Sequence, residues 1–504
     1  MFIELSPGPL SEPLSGRRWS PAEIRTHVQQ RVSRYRRLGL SPGDRVLVLF
    51  GNRLEFFADL LALWRLGCCA VPLDSRLTDY EICVLARAAG ARVALTSGEP
   101  PAALCSALGA LGVALADTAA SDAGDVEPAA PGPALDQDAL ILFTSGTTGQ
   151  PKGVVHTHRS LRARWMSLRQ SLGVADFSRT LCLLPTHFGH GLICNSLFPW
   201  LSGQELLIAP PFQAGLLLEL GRILDEHRVT FLSSVPSVWR LALKGSRPPR
   251  SGHLKRLFCG SAPLPAHLWR GIQEWSGTRE VWNAYGITET GSWAAGTSVG
   301  AFEPEDGLIG EGWGSVVKVL RARTTDTPAA ESEECAPGEQ GYVWLNTPAL
   351  MRGYLERDDL TKEVVSEGWF LTGDIGVRDD RGWLYLKGRE REEINKGGMK
   401  IHPGDVDLVA EQFEETVDVS TFACDDALYG QNVAIAVVLR SRDDETIRRL
   451  YLWVRSRLAE HQMPVRWYVL DAIPRSSRGK VNRDQLAQSC SSLTPVNMRS
   501  VLGH

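Results

Sequence analysis

The sequence has no uninterrupted apolar run of about 18 residues, the length that a membrane-spanning helix needs. Residues 1–9 lack the basic start and apolar core of a secretory signal. The ten cysteines form no Cys-x-x-Cys pair, and no histidines are spaced with them for zinc. These absences predict a reduced cytoplasmic protein with no membrane span.

Chain length and net charge further restrict the class of protein. A chain of 504 residues exceeds one ordinary folded core, so two or more domains are expected. A formal net charge of −4 and an isoelectric point near 6.3 predict no general attraction to nucleic acid or to acidic membranes. Any binding of phosphate groups must therefore depend on a few local donors.

Strand and helix patterns alternate in the first part of the chain. Apolar residues recur at helical spacing over residues 21–39 and 54–66, and a buried-strand pattern lies between them at 44–50. Such alternation predicts a parallel sheet with helices on its faces. Residues 117–135, rich in Ala, Pro, Gly and Asp, are expected to form a linker.

The pattern changes after residue 388, where a charged run leads into a unit of about 110 residues, the size of a small domain. We expect two helices and two strands in this unit, near 404–415, 444–459, 433–439 and 467–470. The predicted fold is α/β, with parallel-type sheets covered by helices in a large N-terminal domain and a small mobile C-terminal α+β domain. The predicted bounds are 1–388 for the large domain, 389–393 for a hinge and 394–504 for the small domain.

The most informative segment is residues 141–158, Ile-Leu-Phe-Thr-Ser-Gly-Thr-Thr-Gly-Gln-Pro-Lys-Gly-Val-Val-His-Thr-His. An apolar strand opens here into a loop with glycines that turn backbone N–H groups toward an anion, four hydroxyls and one lysine. These residues are Thr144, Ser145, Gly146, Thr147, Thr148, Gly149 and Lys152. Two residues separate the lysine from the last glycine, unlike in a Walker loop. The loop predicts a nucleoside triphosphate as ligand.

Residues 141–158 resemble the phosphate loop of the adenylate-forming superfamily: acyl-CoA synthetases, adenylation domains of nonribosomal peptide synthetases and firefly luciferases. The resemblance runs from about residue 20 to residue 488 and is closest in character to bacterial acyl-CoA synthetases. It implies that the chain uses ATP and Mg²⁺. It also implies that the large domain binds AMP and that the small domain is a lid.

A second motif, residues 282–290, resembles the Tyr-Gly-x-Thr-Glu element of this superfamily. By that resemblance Tyr285 lies against the adenine, Thr288 bonds the α-phosphate and Glu289 is the Mg²⁺ ligand. The chemistry agrees, because a carboxylate suits a hard Mg²⁺ ion and a flat aromatic face suits a purine. Other positions that the resemblance assigns to nucleotide binding are Gly260, Ser261, Ala262, Asn283, Ala284 and Gly286.

Two further residues resemble the family's ribose and phosphate contacts. Asp374 ends the segment Trp-Phe-Leu-Thr-Gly-Asp, and its two carboxylate oxygens can accept bonds from both ribose hydroxyls. Arg389 follows Gly388 and offers permanently charged donors. The resemblance therefore implies that both residues bind the nucleotide.

The C-terminal unit carries two segments that resemble family elements of opposite function. Residues 474–483 resemble the catalytic-lysine loop, in which Lys480 would neutralise the negative charge that develops as a carboxylate attacks ATP. Residues 394–403 resemble the segment that turns toward the thiol tunnel in the second half-reaction, although a simple turn is an alternative. The resemblance places the hinge at Glu392 and assigns three residues to the CoA region, Gly397, Gly398 and Lys400.

Residues 185–192 resemble the segment that places a histidine near the acyl carboxylate, and His190 matches that histidine better than His187 does. Amino-acid-activating relatives carry an aspartate there to hold the substrate ammonium, and this sequence has none. An α-amino acid is therefore disfavoured. Further candidates for the acyl pocket are Val235, Gly260, Gly291 and the small residues at 294–296, for which buried core is the competing interpretation.

Together these segments predict an ATP-dependent acid–thiol ligase that adenylates a bulky or medium-length carboxylic acid and transfers the acyl group to CoA. Its predicted catalytic residues are Lys480, Thr288, Glu289 and His190. One alternative is a stand-alone adenylation enzyme that loads the phosphopantetheine of an acyl carrier protein. A remote alternative is a nucleotide-binding protein that has lost catalysis.

Overall fold

Three β-sheets organise the chain in the computed structural model. The structure describes residues 6–118, 133–144, 151–211, 213–298, 302–321, 323, 329, 331–396, 399–426, 429–476 and 479–502. Two of the sheets and their helices precede residue 394, and the third follows it. A large N-terminal domain and a small C-terminal domain are therefore present, as predicted, while the bounds assigned to the hinge stay a prediction.

The largest sheet has fourteen strands, of which six form a parallel part and eight pair antiparallel. Its parallel strands are Leu10–Glu12, Glu205–Ile208, Arg179–Cys182, Phe231–Ser234, Arg256–Gly260 and Val281–Ile287. Its antiparallel strands are Arg17–Trp19, Ser292–Gly296, Leu308–Gly312, Leu384–Arg389, Trp369–Arg378, Val365–Ser366, Gln340–Asn346 and Val316–Leu320. The parallel type was expected throughout, but long helical patterns end before residue 281, so later strands have no helical crossovers and pair antiparallel.

The second sheet carries the segment with the predicted phosphate loop. In spatial order its strands are Gly353–Tyr354, Lys152–Thr157, Asp138–Thr144, Cys69–Pro72, Arg45–Val48, Val93–Thr96 and Ala114–Asp117. The two strands that flank the loop are antiparallel, and Thr144 is the partner of Lys152. The loop therefore begins and ends at the same edge of this sheet.

Helices pack against the strands of the two large sheets, as the early alternation predicted. They are Pro21–Arg37, Leu54–Arg65, Asp79–Ala89, Ala102–Ala110, His158–Leu172, Phe198–Leu201, Ala214–Leu218, Leu220–Glu226, Pro236–Gly245, Ala266–Ser276 and Asp358–Lys362. Capping boxes begin three of them, with Ser20, Thr78 and Thr157 as the N-cap residues. Residues His190–Leu197 form a π-helix, and short 3₁₀ turns lie at Ala175–Phe177, Thr288–Thr290 and Glu390–Glu392.

The C-terminal domain has its own sheet and its own apolar core. Its strands are Met399–Ile401, Ile394–Lys396, Gly430–Leu439, Thr416–Asp426 and Arg466–Val469. Its helices are Pro403–Glu411, Asp444–Arg455, Arg483–Ser491 and Met498–Leu502, with a 3₁₀ turn at Glu460–Gln462. The predicted elements near 404–415, 433–439, 444–459 and 467–470 are all present, although both helices end about four residues early.

Two observations complete the fold. Among the described residues, none of the helices combines the length and the apolar character that a membrane span requires. All ten cysteines lie in described segments, and each is a free thiol.

Candidate functional site

Three predicted site residues, together with Ser233, lie at the carboxyl ends of neighbouring parallel strands. Ser233 lies near the end of Phe231–Ser234, Ser261 follows Arg256–Gly260, and Thr288 follows Val281–Ile287. His190 follows the next strand of the same parallel set, Arg179–Cys182, after a short connection. Ligands of open α/β sheets bind in a crevice at this edge, so the topology brings these distant segments into one site.

His190 lies at the centre of this edge, at the start of the π-helix, and is almost fully buried. Its Nδ1 is 2.8 Å from the hydroxyl oxygen of Ser261, and its Nε2 is 2.7 Å from that of Ser233. Burial, with a smaller contribution from the charge of Lys480, lowers the pKa of His190 to about 3. The ring is therefore neutral at physiological pH and is held by a hydroxyl on each side.

Lys480 reaches this edge from the C-terminal domain. Its charge acts on His190, and the adjacent Gly479 packs so closely on the large domain that an added Cβ would lie 2.5 Å from the hydroxyl oxygen of Ser237. Arg240 and Glu411 form an ion pair between the two domains beside this contact, with the Arg240 Nε 2.6 Å from the carboxylate. Gly479, the residue before Lys480, is thus packed against the large domain.

A buried carboxylate joins three of the predicted nucleotide contacts. The hydroxyl of Tyr285 donates a hydrogen bond to Asp374, and Arg389 Nε lies 2.9 Å from the other oxygen of that carboxylate. Burial and the charge of Asp374 both raise the pKa of Tyr285. The same charge raises the pKa of Arg389. Asp374 is 4% exposed, so its carboxylate is buried between the Tyr285 hydroxyl and the partly exposed guanidinium of Arg389.

A second group combines a carboxylate with a lysine. The hydroxyl of Tyr354 donates to Glu289 at 2.8 Å, and the ammonium of Lys152 lies 5.1 Å from the centre of the same tyrosine ring. Glu289 and Thr288 are partly exposed in the short turn Thr288–Thr290. A metal–phosphate complex needs a carboxylate oxygen for the metal ion and a cation for the phosphate. Glu289 and Lys152 are residues of these two kinds. The described residues contain no cluster of three or more metal-ligating side chains.

Other residues predicted to bind nucleotide pack within or beside the strands of this edge. Asn283 is buried and donates to the carbonyl of Leu308 at 2.7 Å. An added Cβ at Gly260 would lie 2.1 Å from the carbonyl oxygen of Ala284, so the two strands approach closely at that point. Gly286 lies in the same strand as Ala284, and Ala262 lies in the turn after Ser261.

The predicted acyl-pocket residues are not all brought together. Gly291 faces the side chain of Arg164, and His187 Nε2 lies 3.6 Å from a carboxylate oxygen of Asp74 rather than beside His190. Val235 precedes the helix Pro236–Gly245 and lies near Gly479. Residues 294–295 are fully buried in an apolar cluster, and an added Cβ at residue 296 would meet a tryptophan ring. Their assignment to the acyl pocket stays a prediction.

Some predicted residues lie outside the described part of the structure. They are the loop residues Ser145, Gly146, Thr147, Thr148 and Gly149 and the CoA-region residues Gly397 and Gly398. The side chain of Lys400 is not described, although its backbone lies in the strand Met399–Ile401. Thr144 ends the strand before the loop, and Glu392 is bound by Arg483 at 2.9 Å.

The structure adds site residues that sequence reasoning missed. Ser233 contacts His190, Tyr354 contacts Glu289, and His156 lies 2.8 Å from the carbonyl oxygen of Thr288. None of the three had a local signal in the sequence. Trp293, in contrast, belongs to the segment 290–296 that was a candidate wall of the acyl pocket, and its ring centre lies 5.5 Å from that of His190.

Comparisons with known proteins agree with this geometry. A family described as AMP-binding enzyme matches residues 11–355. The chain is 30% identical over 478 residues to 2-succinylbenzoate–CoA ligase from Bacillus licheniformis, covering 91% of this chain and 92% of that one. It is 28% identical over 477 residues to the long-chain-fatty-acid–CoA ligase FadD13 of Mycobacterium tuberculosis, covering 91% and 90%. The solved structure of ATP-bound MatB from Rhodopseudomonas palustris has a TM-score of 0.85 at 23% identity, with 97% of each chain covered.

The chain therefore belongs to the AMP-binding enzyme family, and within it to the AMP-forming acyl-CoA synthetases. Enzymes of this class use ATP, Mg²⁺ and CoA to convert a carboxylic acid into its CoA thioester.

Proposed function

We propose that this chain adenylates a bulky or medium-length uncharged acid, other than an α-amino acid, and then transfers the acyl group to CoA. The observation that carries the proposal is the close packing of Gly479, the residue before Lys480, on Ser237 of the large domain, which brings the charge of Lys480 to act on the buried His190. A cation and a neutral, hydrogen-bonded imidazole are thus present at the same edge of the parallel strands. This combination suits the attack of one anion on another.

In the first step a carboxylate oxygen of the acid forms a bond to the α-phosphorus of ATP, and pyrophosphate leaves. Lys480 neutralises the negative charge that develops between the two anions, and the hydroxyl of Thr288 contacts the α-phosphate. The neutral His190 ring holds the Ser233 and Ser261 hydroxyls in place beside the carboxylate. This geometry supplies electrostatic stabilisation and orientation.

The remaining site residues would hold the nucleotide. Asp374 would accept hydrogen bonds from the ribose hydroxyls and Arg389 would add a charged donor, while Tyr285 would lie against the adenine. Glu289 would provide the carboxylate for Mg²⁺, and Lys152 together with the loop at 144–149 would bind the outer phosphates. Bound Mg²⁺ would offset the charge of the leaving pyrophosphate.

In the second step the CoA sulfur attacks the acyl carbonyl carbon, and AMP leaves with its bond to that carbon broken. We propose that the small domain, residues 394–504, turns about Glu392 within the hinge 389–393 so that the segment with Gly397, Gly398 and Lys400 replaces Lys480. The large AMP-binding domain, residues 1–388, would keep the nucleotide in place meanwhile. One site would then serve both half-reactions.

The surroundings of His187 and His190 support this acid class. The carboxylate of Asp74 lies 3.6 Å from His187 and is already paired with Arg76 through two contacts of 2.9 and 3.0 Å. It is therefore a poor counter-ion for a substrate ammonium, which would cost several kcal/mol to bury unpaired. The aromatic rings of Phe188 and Trp293 flank His190 and favour an apolar acyl group.

The test is the substitution Lys480→Ala, with Lys362→Ala on an exposed helix as the matched control. ATP–pyrophosphate exchange with the best acid of a panel should fall about 100-fold or more for Lys480→Ala and stay unchanged for the control. Conversion of a chemically prepared acyl-adenylate into thioester should remain, because the lysine acts only in the first step. Equal loss in both half-reactions would refute the assignment.

A second comparison decides the acyl acceptor. Thioester formation should saturate with free CoA and should be slower with a phosphopantetheine-loaded carrier protein at equal concentration. Preference for the carrier protein would replace CoA by a carrier as the acceptor and leave the adenylation step of the proposal intact.

A further inference from the structure

The turn Thr288–Thr290, which carries Thr288 and Glu289, is bound through its backbone by three other parts of the chain. His156 Nε2 lies 2.8 Å from the carbonyl oxygen of Thr288. The backbone N–H of Met351 donates to the carbonyl of Glu289 at 2.8 Å, and Arg164 Nη2 donates to that of Thr290 at 2.8 Å. Three successive carbonyls are therefore held from three directions, although the side chains of Thr288 and Glu289 remain accessible.

His156 is a neutral donor in this arrangement. It is fully buried, and burial lowers its pKa to about 4 despite the opposing bond to Thr288. Since a carbonyl oxygen only accepts, the ring proton lies on Nε2, and Nδ1 faces the hydroxyl of Ser160 at 3.3 Å. The ring thus has one defined tautomer that points its N–H at Thr288.

Arg164 is a buried cation held by neutral groups. It is fully buried and donates to the carbonyls of Thr290 and Trp313 and to the hydroxyl of Thr347 at 2.8, 3.0 and 3.1 Å. No carboxylate in the described part of the chain forms an ion pair with it, and burial lowers its pKa to about 10. An apolar side chain would fill such a position at a lower cost of desolvation. The presence of a guanidinium, with its several N–H donors, therefore indicates that its hydrogen bonds are needed.

Local sequence puts both residues in place. The strand Lys152–Thr157 runs directly into the helix His158–Leu172, and Thr157 caps that helix by accepting from the Ser160 N–H at 3.2 Å. His156 is the last strand residue before this cap, and Arg164 lies in the second turn of the helix. One strand therefore carries Lys152 at its start and a support of the Glu289 turn near its end.

We propose that His156 and Arg164 are positioning residues that set Thr288 and Glu289 for the α-phosphate and for Mg²⁺. The inference rests on the proposed function, because it assumes the nucleotide contacts assigned to those two residues. Neither positioning residue touches substrate. Loss of either support lets the turn shift, so that Mg²⁺-dependent steps weaken more than the stability of the fold does.

The discriminating pair of variants is His156→Gln and His156→Asn. The amide nitrogen of glutamine reaches about where Nε2 lies, whereas that of asparagine stops near Nδ1, so only glutamine can still donate to Thr288. We expect His156→Asn to raise the Mg²⁺ concentration for half-maximal ATP–pyrophosphate exchange about fivefold or more, and His156→Gln to change it less than about twofold. Arg164→Lys should lie between wild type and Arg164→Met in the same assay.

Hydrogen exchange supplies a readout without turnover. The N–H of Gly291 donates to the Thr288 carbonyl at 3.1 Å, so its exchange should speed up in His156→Asn and remain close to wild type in His156→Gln. Calorimetry should show the same order for the Mg²⁺-dependent part of ATP binding. Identical Mg²⁺ dependence and identical exchange in the two variants would overturn the inference, whatever their melting temperatures.

The two proposals can fail separately. Absence of exchange activity in the wild-type enzyme with every acid tested would refute the proposed function. Calorimetry and hydrogen exchange would still decide whether His156 and Arg164 hold the turn.

Discussion

Three buried histidines should make the folded protein sensitive to mild acid. His156, His158 and His190 each have an exposed fraction of 2% or less. Burial lowers the pKa of His156 and of His158 to about 4 and that of His190 to about 3. A lowered histidine pKa stabilises the fold above the unfolded pKa of about 6.5, and this stabilisation is lost as the pH falls toward the folded pKa.

The size of the effect follows from these values. Between about pH 7.5 and about pH 5 each histidine should reduce the free energy of unfolding by about 2 kcal/mol, or about 6 kcal/mol for the three. Asp59 opposes them, because burial raises its pKa to about 6 and its protonation over this range stabilises the fold. Protonation of Asp59 therefore restores about 1.5 kcal/mol, and the free energy of unfolding falls by about 4.5 kcal/mol in total. This is a large part of the free energy of unfolding of a typical protein.

Thermal unfolding followed by tryptophan fluorescence can measure this loss. For a domain of this size the loss corresponds to a fall in Tm of about 5 °C between the two pH values. His156→Gln removes one titrating group, worth about 2 of the net 4.5 kcal/mol, and should reduce the fall in Tm by a little under half. A wild-type Tm that changes by less than about 1 °C, or a variant with the same fall as wild type, would refute the argument.

Three further predictions concern function. Gly398→Leu should reduce thioester yield more than pyrophosphate release, because a side chain would obstruct the thiol arm; unchanged thioester yield would show that this residue does not line the tunnel. Arg240→Glu should slow adenylation a few-fold, because the new carboxylate would repel Glu411 across the domain contact. The double change Arg240→Glu with Glu411→Arg should restore the rate. Lack of restoration would exclude this pair as a domain contact. In hydroxamate assays uncharged acids should outperform every α-amino acid, and strong turnover of an amino acid with weak turnover of its des-amino analogue would contradict the acid class.

Much of the fold could be predicted because its signals are local. Apolar spacing indicated the helix Pro21–Arg37 and the strand Arg45–Val48, and the change in pattern after residue 388 indicated a separate C-terminal domain. The antiparallel part of the large sheet was missed, because strand pattern alone does not specify the direction of pairing. Helix ends in the small domain were also misjudged, since end positions depend on caps and on tertiary packing.

The candidate site shows the same division. Motif residues such as Lys152, Glu289, Asp374 and Lys480 could be recognised from short segments, because phosphate and metal chemistry restricts residue type and spacing over a few positions. Their partners could not be recognised. Tyr354 meets Glu289 from 65 positions away along the chain, and no local pattern relates the two.

Only the folded chain decided which side chains meet. Ser233 and Ser261 come from different strands and bind opposite sides of His190 because parallel pairing brings their carboxyl ends to one edge. In the sequence, Arg164 resembles any basic residue of an amphipathic helix. In the structure it is fully buried, and its guanidinium donates hydrogen bonds to neutral oxygens from three segments. Sequence therefore specified the candidate site residues, and tertiary packing specified their partners, since burial and hydrogen bonding depend on residues far apart in the chain.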